Sequence, residues 1–461
     1  MKRGTYLKTS GMILVFLLST TLTSSAARTI NVDDDGPADF NTIQAAIDDA
    51  NDGDTIIVSD GTYTGDGNRD IDFLGKAITL RSENGPENCI IDCQGSEDDL
   101  HRGFYFHSGE DANSVLDGFT ITNGCAYSGG AIRCLYSSSP TITNCIIRGN
   151  VAPFEPDFPW YFAQDGGGIY CYESSATITN CHFLGNTATG SGGAIRSSNG
   201  NVLVSNCMFT GNQASYGGAI ALYLDNMSIH NCVIIGNRAG YEFYGSGGGI
   251  FSNESTPTIT NCTIRGNLAY NYGGGILCVE HSDATVDNSV LWCNNAQEGP
   301  EIGIIYGAFG PSSITISYSD VQGGAAGVYV DSGCTLNWEA GNIDIDPNFA
   351  DTSSYDPNEW DHHLKSQAGR WEPSSKTWVQ DSQTSPCIDG GNPEDPIGDE
   401  PFPNGGVINM GAYGGTAEAS KSYFGRPVCE IIVAGDVNGD CIVNYLDFRL
   451  MALHWLRDES Q

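Results

Sequence analysis

Between Gly129 and Asn295 the chain writes one short pattern six times, and a repeat of this length points to stacked units rather than a single closed core. Its clearest copy reads Gly247-Gly248-Gly249-Ile250, then Thr258-Ile259-Thr260-Asn261-Cys262, then Ile264-Arg265-Gly266-Asn267. Matched isoleucines stand at Ile132, Ile169, Ile195, Ile220, Ile250 and Ile276, in steps of 37, 26, 25, 30 and 26 residues. Inside a copy the spacing barely changes. The isoleucine precedes Cys145, Cys181, Cys207, Cys232 or Cys262 by 12 or 13 residues, and that cysteine precedes Asn150, Asn186, Asn212, Asn237 or Asn267 by 5. The sixth copy keeps the frame with Ser289 in the cysteine place and Asn294 closing it.

Each copy holds three β-type runs (Gly-Ile-x-Cys, Thr-Ile-Thr and Cys-x-Ile) separated by Gly, Asn, Ser and Pro, with no helical periodicity. Three strands per coil, each pairing with the coils above and below at roughly 4.8 Å, make an all-β parallel β-helix. Stacking sets like on like. Asn144, Asn180, Asn206, Asn231, Asn261 and Asn288 then form a column of bend residues tolerant of left-handed backbone, whose amides are expected to hydrogen-bond from coil to coil. The stacked cysteines read as small buried hydrophobes, and Cys134 and Cys171, equivalent in adjacent coils, as a candidate disulfide.

Toward the N-terminus, Lys2, Arg3 and Lys8 precede an apolar run from Met12 to Leu18 and then Ser25-Ala26-Ala27. These are the parts of a secretory signal peptide over residues 1–27, and no other apolar run reaches membrane-spanning length. A secreted or cell-surface protein without a transmembrane anchor is expected, and a monomer. A net charge of −36 argues against nucleic acid and anionic membranes as partners. It favours calcium, basic surfaces or neutral glycans. Asn41 with Gln44 has capping-box spacing ahead of an apolar helical face (Ile43, Ala46, Ile47, Ala50), which suits a lid over the open end of a stack.

Asp436-Val437-Asn438-Gly439-Asp440-Cys441-Ile442-Val443-Asn444-Tyr445-Leu446-Asp447 places oxygen ligands at calcium-loop positions 1, 3, 5, 9 and 12. Asp436, Asn438, Asp440, Asn444 and Asp447 supply side chains, and Ile442 a backbone carbonyl at position 7. An amphipathic helix follows through Phe448, Leu450, Met451, Leu453, Trp455 and Leu456. Cys441 stands where the loop glycine is expected, and Cys429 could staple to it.

The run Leu116-Asp117-Gly118-Phe119-Thr120-Ile121-Thr122-Asn123 resembles the pectate-lyase-like right-handed β-helix superfamily. The Gly-Gly-Ala-Ile and Phe-x-Gly-Asn elements resemble the repeats of polymorphic outer-membrane proteins. Together these imply a right-handed coil over residues 28–341 with its N-terminal helical cap. Residues 342–427, with Ile408 to Gly415, resemble the C-terminal module that follows such helices in exported bacterial proteins, and are read as a closing cap and spacer. Residues 428–461 resemble one half of a type I dockerin, which implies a cohesin-like or cell-surface partner.

Function is sought in the loops between each closing asparagine and the next glycine pair, which carry the aromatic residues. Trp160, Tyr161, Tyr216, Tyr244 and Tyr272, with Tyr170, are the candidate substrate-binding residues. One residue past each ladder isoleucine come Arg133, Tyr170, Arg196, Ala221, Phe251 and Leu277, all pointing outward. Four past it come Tyr136, Glu173, Asn199, Leu224, Glu254 and Glu280. By resemblance to pectate lyases, Arg133 or Arg196 would be the base that takes a uronate proton, and Glu173, Glu254 and Glu280 calcium ligands. A hydrolase would instead pair two carboxylates, such as Asp165 with Glu173. The expectation is a carbohydrate-active or carbohydrate-binding protein acting on a polysaccharide or cell-surface glycan, as a lyase or glycosidase. The alternative is a non-enzymatic surface or adhesion protein using the same face.

Overall fold

The computed structural model describes residues 26–155, 164–240, 244–354, 356–425, 435, 437 and 443–455. The expected signal peptide lies outside them apart from Ala26 and Ala27, as do Cys429 and Cys441. The repeats build a parallel β-helix. Sheet 1 has twelve strands, from Thr29–Val32 to Thr335–Trp338, and contains the Thr-Ile-Thr runs. Sheet 2 has ten, from Ile71–Asp72 to Tyr329–Val330, and contains the runs that begin at the ladder isoleucines. Sheet 3, also ten-stranded, runs from Gly61–Tyr63 to Asp320–Val321 and contains the runs after the cysteines. Register is like on like: Ile132 faces Ile169, Ile142 faces Ile178, and Ile147 faces Phe183. Alternation sends the middle residue of each Thr-Ile-Thr inward, so Ile142, Ile178, Ile229 and Ile259 are fully buried. The Phe183 and Phe209 rings stack at 4.8 Å.

A fourth sheet was not anticipated. It has five strands of two residues each, Val151–Ala152, Thr187–Ala188, Gln213–Ala214, Arg238–Ala239 and Leu268–Ala269. Each directly follows a closing asparagine, and its alanine is buried.

The inter-coil amide ladder runs down a different column from the one expected. Asn144, Asn180, Asn206, Asn231, Asn261 and Asn288 do hold left-handed bends, with φ between 49° and 53°. The buried ladder is formed by the closing asparagines. Asn186 donates its backbone N–H (3.0 Å) and its Nδ2 (3.0 Å) to Asn212 Oδ1, and Asn212 donates the same pair to Asn237 Oδ1 at 2.9 Å each. The pattern runs from Asn150 to Asn294 and ends on a carboxylate, with the Asn294 backbone N–H donating to Glu301 Oε1 at 3.1 Å and its Nδ2 to Oε2. Burial pushes the Glu301 carboxyl up to about 7, against an ordinary value of 4.5. A folded pKa above the unfolded one gives stability that is present below pH 4.5 and lost as pH rises through 7. Glu301→Gln keeps an acceptor without the charge. It is expected to remove this loss, worth up to about 3 kcal/mol at pH 8, when urea unfolding is followed from pH 4 to 8.

The stacked cysteines do more than fill space. Cys145, Cys181, Cys207, Cys232 and Cys262 each donate S–H to the carbonyl two residues earlier, at 3.1–3.3 Å, and the Cys181 backbone N–H reaches Cys207 Sγ at 3.4 Å. Ser289 and Ser319 continue the column with the same bond through Oγ, which explains why serine replaces cysteine there. Cys134 and Cys171 are register partners and both free thiols.

Helix α1 (Ile43–Asp49) buries Ile43, Ala46 and Ile47 against the first strands of sheets 1 and 2. The capping box is absent. Thr42 is the N-cap without a side-chain bond, and Asn68 Oδ1 accepts from Ile43 N at 3.0 Å. Gln44 is used across the structure instead, donating to Asp72 O and accepting from Asp72 N. Residues 349–425 fold back along the flank of sheet 3 rather than across an end of the stack. Met410 packs with Val290, and Ala412 with Val233 and Ile235. Trp360 lies 4.3 Å from the Arg265 guanidinium.

Candidate functional site

Sheet 2 places Tyr105, Arg133, Tyr170, Arg196, Ala221, Phe251 and Leu277 in one column on its outer face. The outward direction is as expected, but the exposure is not. Tyr170 is 5% exposed, Arg196 4%, Phe251 6% and Leu277 2%, and Ala221 is fully buried. The cause lies in the glycines that open each copy. Gly166 has φ of 66°, and a Cβ there would stand 2.3 Å from Ile169 O. That tight reversal carries the preceding residue back over the sheet. Asp165, Ser191, Tyr216, Ser246 and Tyr272 all occupy this position, and bridges such as Ser128 to Asp165 and Ser191 to Tyr216 hold the column together.

Asp165 thereby takes Arg196 out of service. Arg196 Nε lies 3.2 Å from Asp165 Oδ2, and Nη1 donates to the Tyr170 hydroxyl at 3.3 Å. The guanidinium is packed between the Tyr170 ring (5.2 Å) and the Tyr223 ring (4.7 Å). The Ser191 backbone N–H donates to Asp165 Oδ1 at 2.7 Å. Burial pushes the Asp165 carboxyl up, and the adjacent guanidinium opposes this. A buried, paired arginine is a scaffold element and a poor base. Of the two arginine candidates, Arg133 retains freedom. It is half-buried between the Tyr105 ring (5.7 Å) and the Tyr170 ring (5.8 Å), with no carboxylate partner among the described residues. Arg102 also lies against the Tyr105 ring, at 5.5 Å, its pKa pushed down to about 10 by burial and by the Arg133 charge. Arg102 and Arg133 thus form a cationic spot on a strongly acidic protein. Sequence spacing missed Arg102 because it lies before the regular copies.

The acidic rim does not assemble. Glu173, Glu254 and Glu280 occupy left-handed bends with φ of 51°, 47° and 55°. Their column also contains Tyr136, Asn199 and Leu224, which keeps Glu173 about 14 Å from Glu254 at a coil spacing of roughly 4.8 Å. Glu280 is committed to a loop, accepting from Ala308 N (2.9 Å) and Phe309 N (2.6 Å). Neither the three-glutamate calcium set nor the pairing of Asp165 with Glu173 survives, since Asp165 is buried on Arg196.

The aromatic residues fare better. Tyr216 is 41% exposed with its ring 5.2 Å from Phe251, Tyr272 is half-buried 5.6 Å from Tyr329, and Tyr244 is 73% exposed. Tyr170 lies beneath the surface, and Trp160 and Tyr161 lie outside the described residues. Tyr136 and Tyr172, in edge contact at 6.2 Å, extend the strip toward the N-terminus. Beneath it, Ala221, Phe251 and Leu277 form a small apolar cluster against Tyr223 and Tyr272.

In the tail, Asp436, Asn438, Asp440 and Ile442 lie outside the described residues. Asp447 is buried, and its carboxylate accepts from Val437 N (2.8 Å) and Asn444 N (2.6 Å), bringing the two sides of the loop together. Asn444 Oδ1 accepts from Leu446 N at the start of helix α2 (Tyr445–Trp455). All three side-chain oxygens of these two residues thus accept from backbone N–H groups of the loop and of the helix start.

Among known proteins, the family model for the right-handed β-helix region matches residues 40–190 and 167–349. No curated protein matches the sequence. Of the solved structures, pectate lyase Pel9A aligns with a TM-score of 0.48 and 16% identity over 84% of this chain and 96% of its own. A pectin methylesterase in complex with a hexasaccharide aligns with a TM-score of 0.32 and 12% identity over 72% and 92%. No helix among the described residues is long and apolar enough to cross a membrane. With the family model spanning well over half of the sequence, the chain belongs to the right-handed parallel β-helix family.

Proposed function

We propose that the protein is an exported, carbohydrate-recognising β-helix whose binding face is the outer surface of sheet 2, with a calcium-binding, dockerin-like tail for attachment. The observation that carries the reading is the tyrosine strip. Tyr136 and Tyr172 stand in two neighbouring coils, and beyond a coil with neither, Tyr216, Tyr272 and Tyr329 follow in alternate coils, with an apolar floor under this C-terminal half. Tyrosine offers a flat apolar ring for the C–H face of a sugar and a hydroxyl for its edge, at low cost in side-chain entropy. The buried Arg196–Asp165 pair and the dispersed glutamates support recognition over catalysis.

A second reading, a polysaccharide lyase, is favoured by Arg102 and Arg133. Two adjacent guanidiniums are what a uronate carboxylate needs on a chain of charge −36. Incubation with a panel of neutral and acidic polysaccharides, with and without calcium, separates the readings. Binding without new products supports recognition. Absorbance from unsaturated uronates, lost in Arg133→Ala, establishes the lyase, and new reducing ends without that absorbance establish a hydrolase. Calcium in the tail is checked by titrating it into wild type and Asp447→Ala, where at least a tenfold loss of affinity is expected.

A further inference from the structure

The bend asparagines between sheets 1 and 3 meet two different environments along the stack. In the later coils they are covered by the C-terminal segment. Asn231 Nδ2 donates to Ala412 O (3.0 Å) and Gly414 O (2.7 Å), Asn261 Nδ2 donates to Asn409 O (3.0 Å), and Asn288 Oδ1 accepts from Asn392 N (2.7 Å). In the earlier coils the C-terminal segment makes no such bond to the column, and Asn144 Nδ2 donates within the stack to Asp117 Oδ1 at 2.7 Å. Asn180 and Asn206 are exposed, and their side-chain amides have no protein partner.

These open bends line a groove of about 670 Å³. The turn at Pro86 and Glu87 forms one end, and Tyr413 and Glu418 of the C-terminal segment form the other. His182 and Met208, on the outer face of sheet 3, make the floor beside the asparagines. The Tyr413 ring is fixed by stacking on His363 at 3.7 Å, and His363 is held in turn by Asp361 at 2.6 Å. The groove is therefore built from rigid elements on three sides. Its lining includes no lysine or arginine, and its two carboxylic side chains are Glu87 and Glu418, the latter 3.5 Å from His363 Nε2. Burial pushes the His182 imidazole down, which leaves it neutral at pH 7.

We infer that this groove is a second glycan site, separate from the face of sheet 2, and that it takes a short neutral oligosaccharide along the line Asn144–Asn180–Asn206. Three features select that ligand class. The Asn180 and Asn206 amides each present a donor and an acceptor side by side, the complement of a pair of sugar hydroxyls. Met208 and Tyr413 supply apolar contact, while Glu87 and Glu418 accept from hydroxyls and repel a uronate. Spacing separates a sugar chain from a peptide. The bends repeat every coil, at roughly 4.8 Å, whereas inward-facing groups of an extended peptide recur at roughly 6.6 Å. One pyranose per coil keeps step with the amides, and an extended peptide does not. The covered half of the ladder already shows these amides donating to carbonyl oxygens when a partner is laid across them.

The test uses the full chain and the methyl resonance of Met208. Asn180→Gly with Asn206→Gly removes both amides and preserves the left-handed bends, whose φ values are 53° and 52°. Tri- and tetrasaccharides of neutral hexoses, their uronate counterparts and an extended tetrapeptide are titrated into wild type, the double-glycine variant and a Tyr216→Ala/Tyr272→Ala variant. A neutral oligosaccharide should shift the Met208 methyl saturably in wild type and equally in the tyrosine variant. The double-glycine variant should bind at least tenfold more weakly with unchanged thermal unfolding. The inference is overturned if no neutral oligosaccharide shifts Met208, if only uronates or the peptide do, or if the double-glycine variant binds within twofold of wild type. Loss in the tyrosine variant alone would assign the signal to sheet 2 and likewise overturn it.

Discussion

Gly193→Ala should leave almost no folded protein, a loss of more than about 4 kcal/mol in the coil it enters. A Cβ at that position would stand 2.3 Å from Gly218 O, 2.6 Å from Gln213 N and 2.7 Å from Gln213 O. All three are backbone atoms, Gly218 opening the next coil and Gln213 following the closing asparagine of the same one, so no rotamer change can relieve the contact. Gly193 would have to move away from the following coil, and with that the bond Gly193 N to Gly217 O would be lost. Gly185 in the preceding coil provides the contrast. Its φ is 61°, yet a Cβ there meets nothing within 4 Å, so Gly185→Ala carries only the left-handed penalty of roughly 1 kcal/mol. Urea unfolding of the two variants side by side measures the difference. Similar stabilities would mean that the coils are not packed backbone on backbone at the glycine column.

Asn212→Ala is the second large effect, expected to cost about 4 kcal/mol. The substitution strips the acceptor from the Asn186 backbone N–H and from Asn186 Nδ2, and the donor from Phe183 O at 3.0 Å. All of these lie away from water, and an orphaned buried polar group costs about 1–3 kcal/mol. Asn206→Gly in the same coil loses an exposed amide and keeps its bend, so under about 1 kcal/mol is expected. The pair distinguishes the two asparagine columns. Spacing alone could not, because both columns recur once per coil. Which one faces inward depends on the bend between sheets 1 and 3, where the left-handed asparagines turn their side chains out.

That ambiguity marks the limit of what periodicity conveys. The like-on-like pairing of Ile132 with Ile169 or Thr141 with Thr177 follows directly from the repeat, as does the outward direction of Arg133 and Arg196. The two-residue strands such as Gln213–Ala214 are also written in the repeat, as the x-Ala after each closing asparagine. They are too short to register as strands by composition. Burial of the outer column is a different matter. It arises because Gly166 and its equivalents reverse the chain, laying Asp165 over a residue 31 positions later in sequence. No local pattern pairs Asp165 with Arg196, so an apparent base became half of an ion pair. The same reversal carries Tyr216 and Tyr272 over the sheet, where Tyr216 is exposed and Tyr272 half-buried.

The central claim is that sheet 2 binds a glycan through this tyrosine strip. Its most direct test is the affinity of wild type against a Tyr216→Ala/Tyr272→Ala variant for whichever polysaccharide the panel selects, with circular dichroism confirming the same fold. Loss of two stacking rings is expected to weaken binding about a hundredfold, near 2.7 kcal/mol at tenfold for each ring. Equal affinity in the two proteins would contradict the claim and move the binding surface elsewhere on the helix.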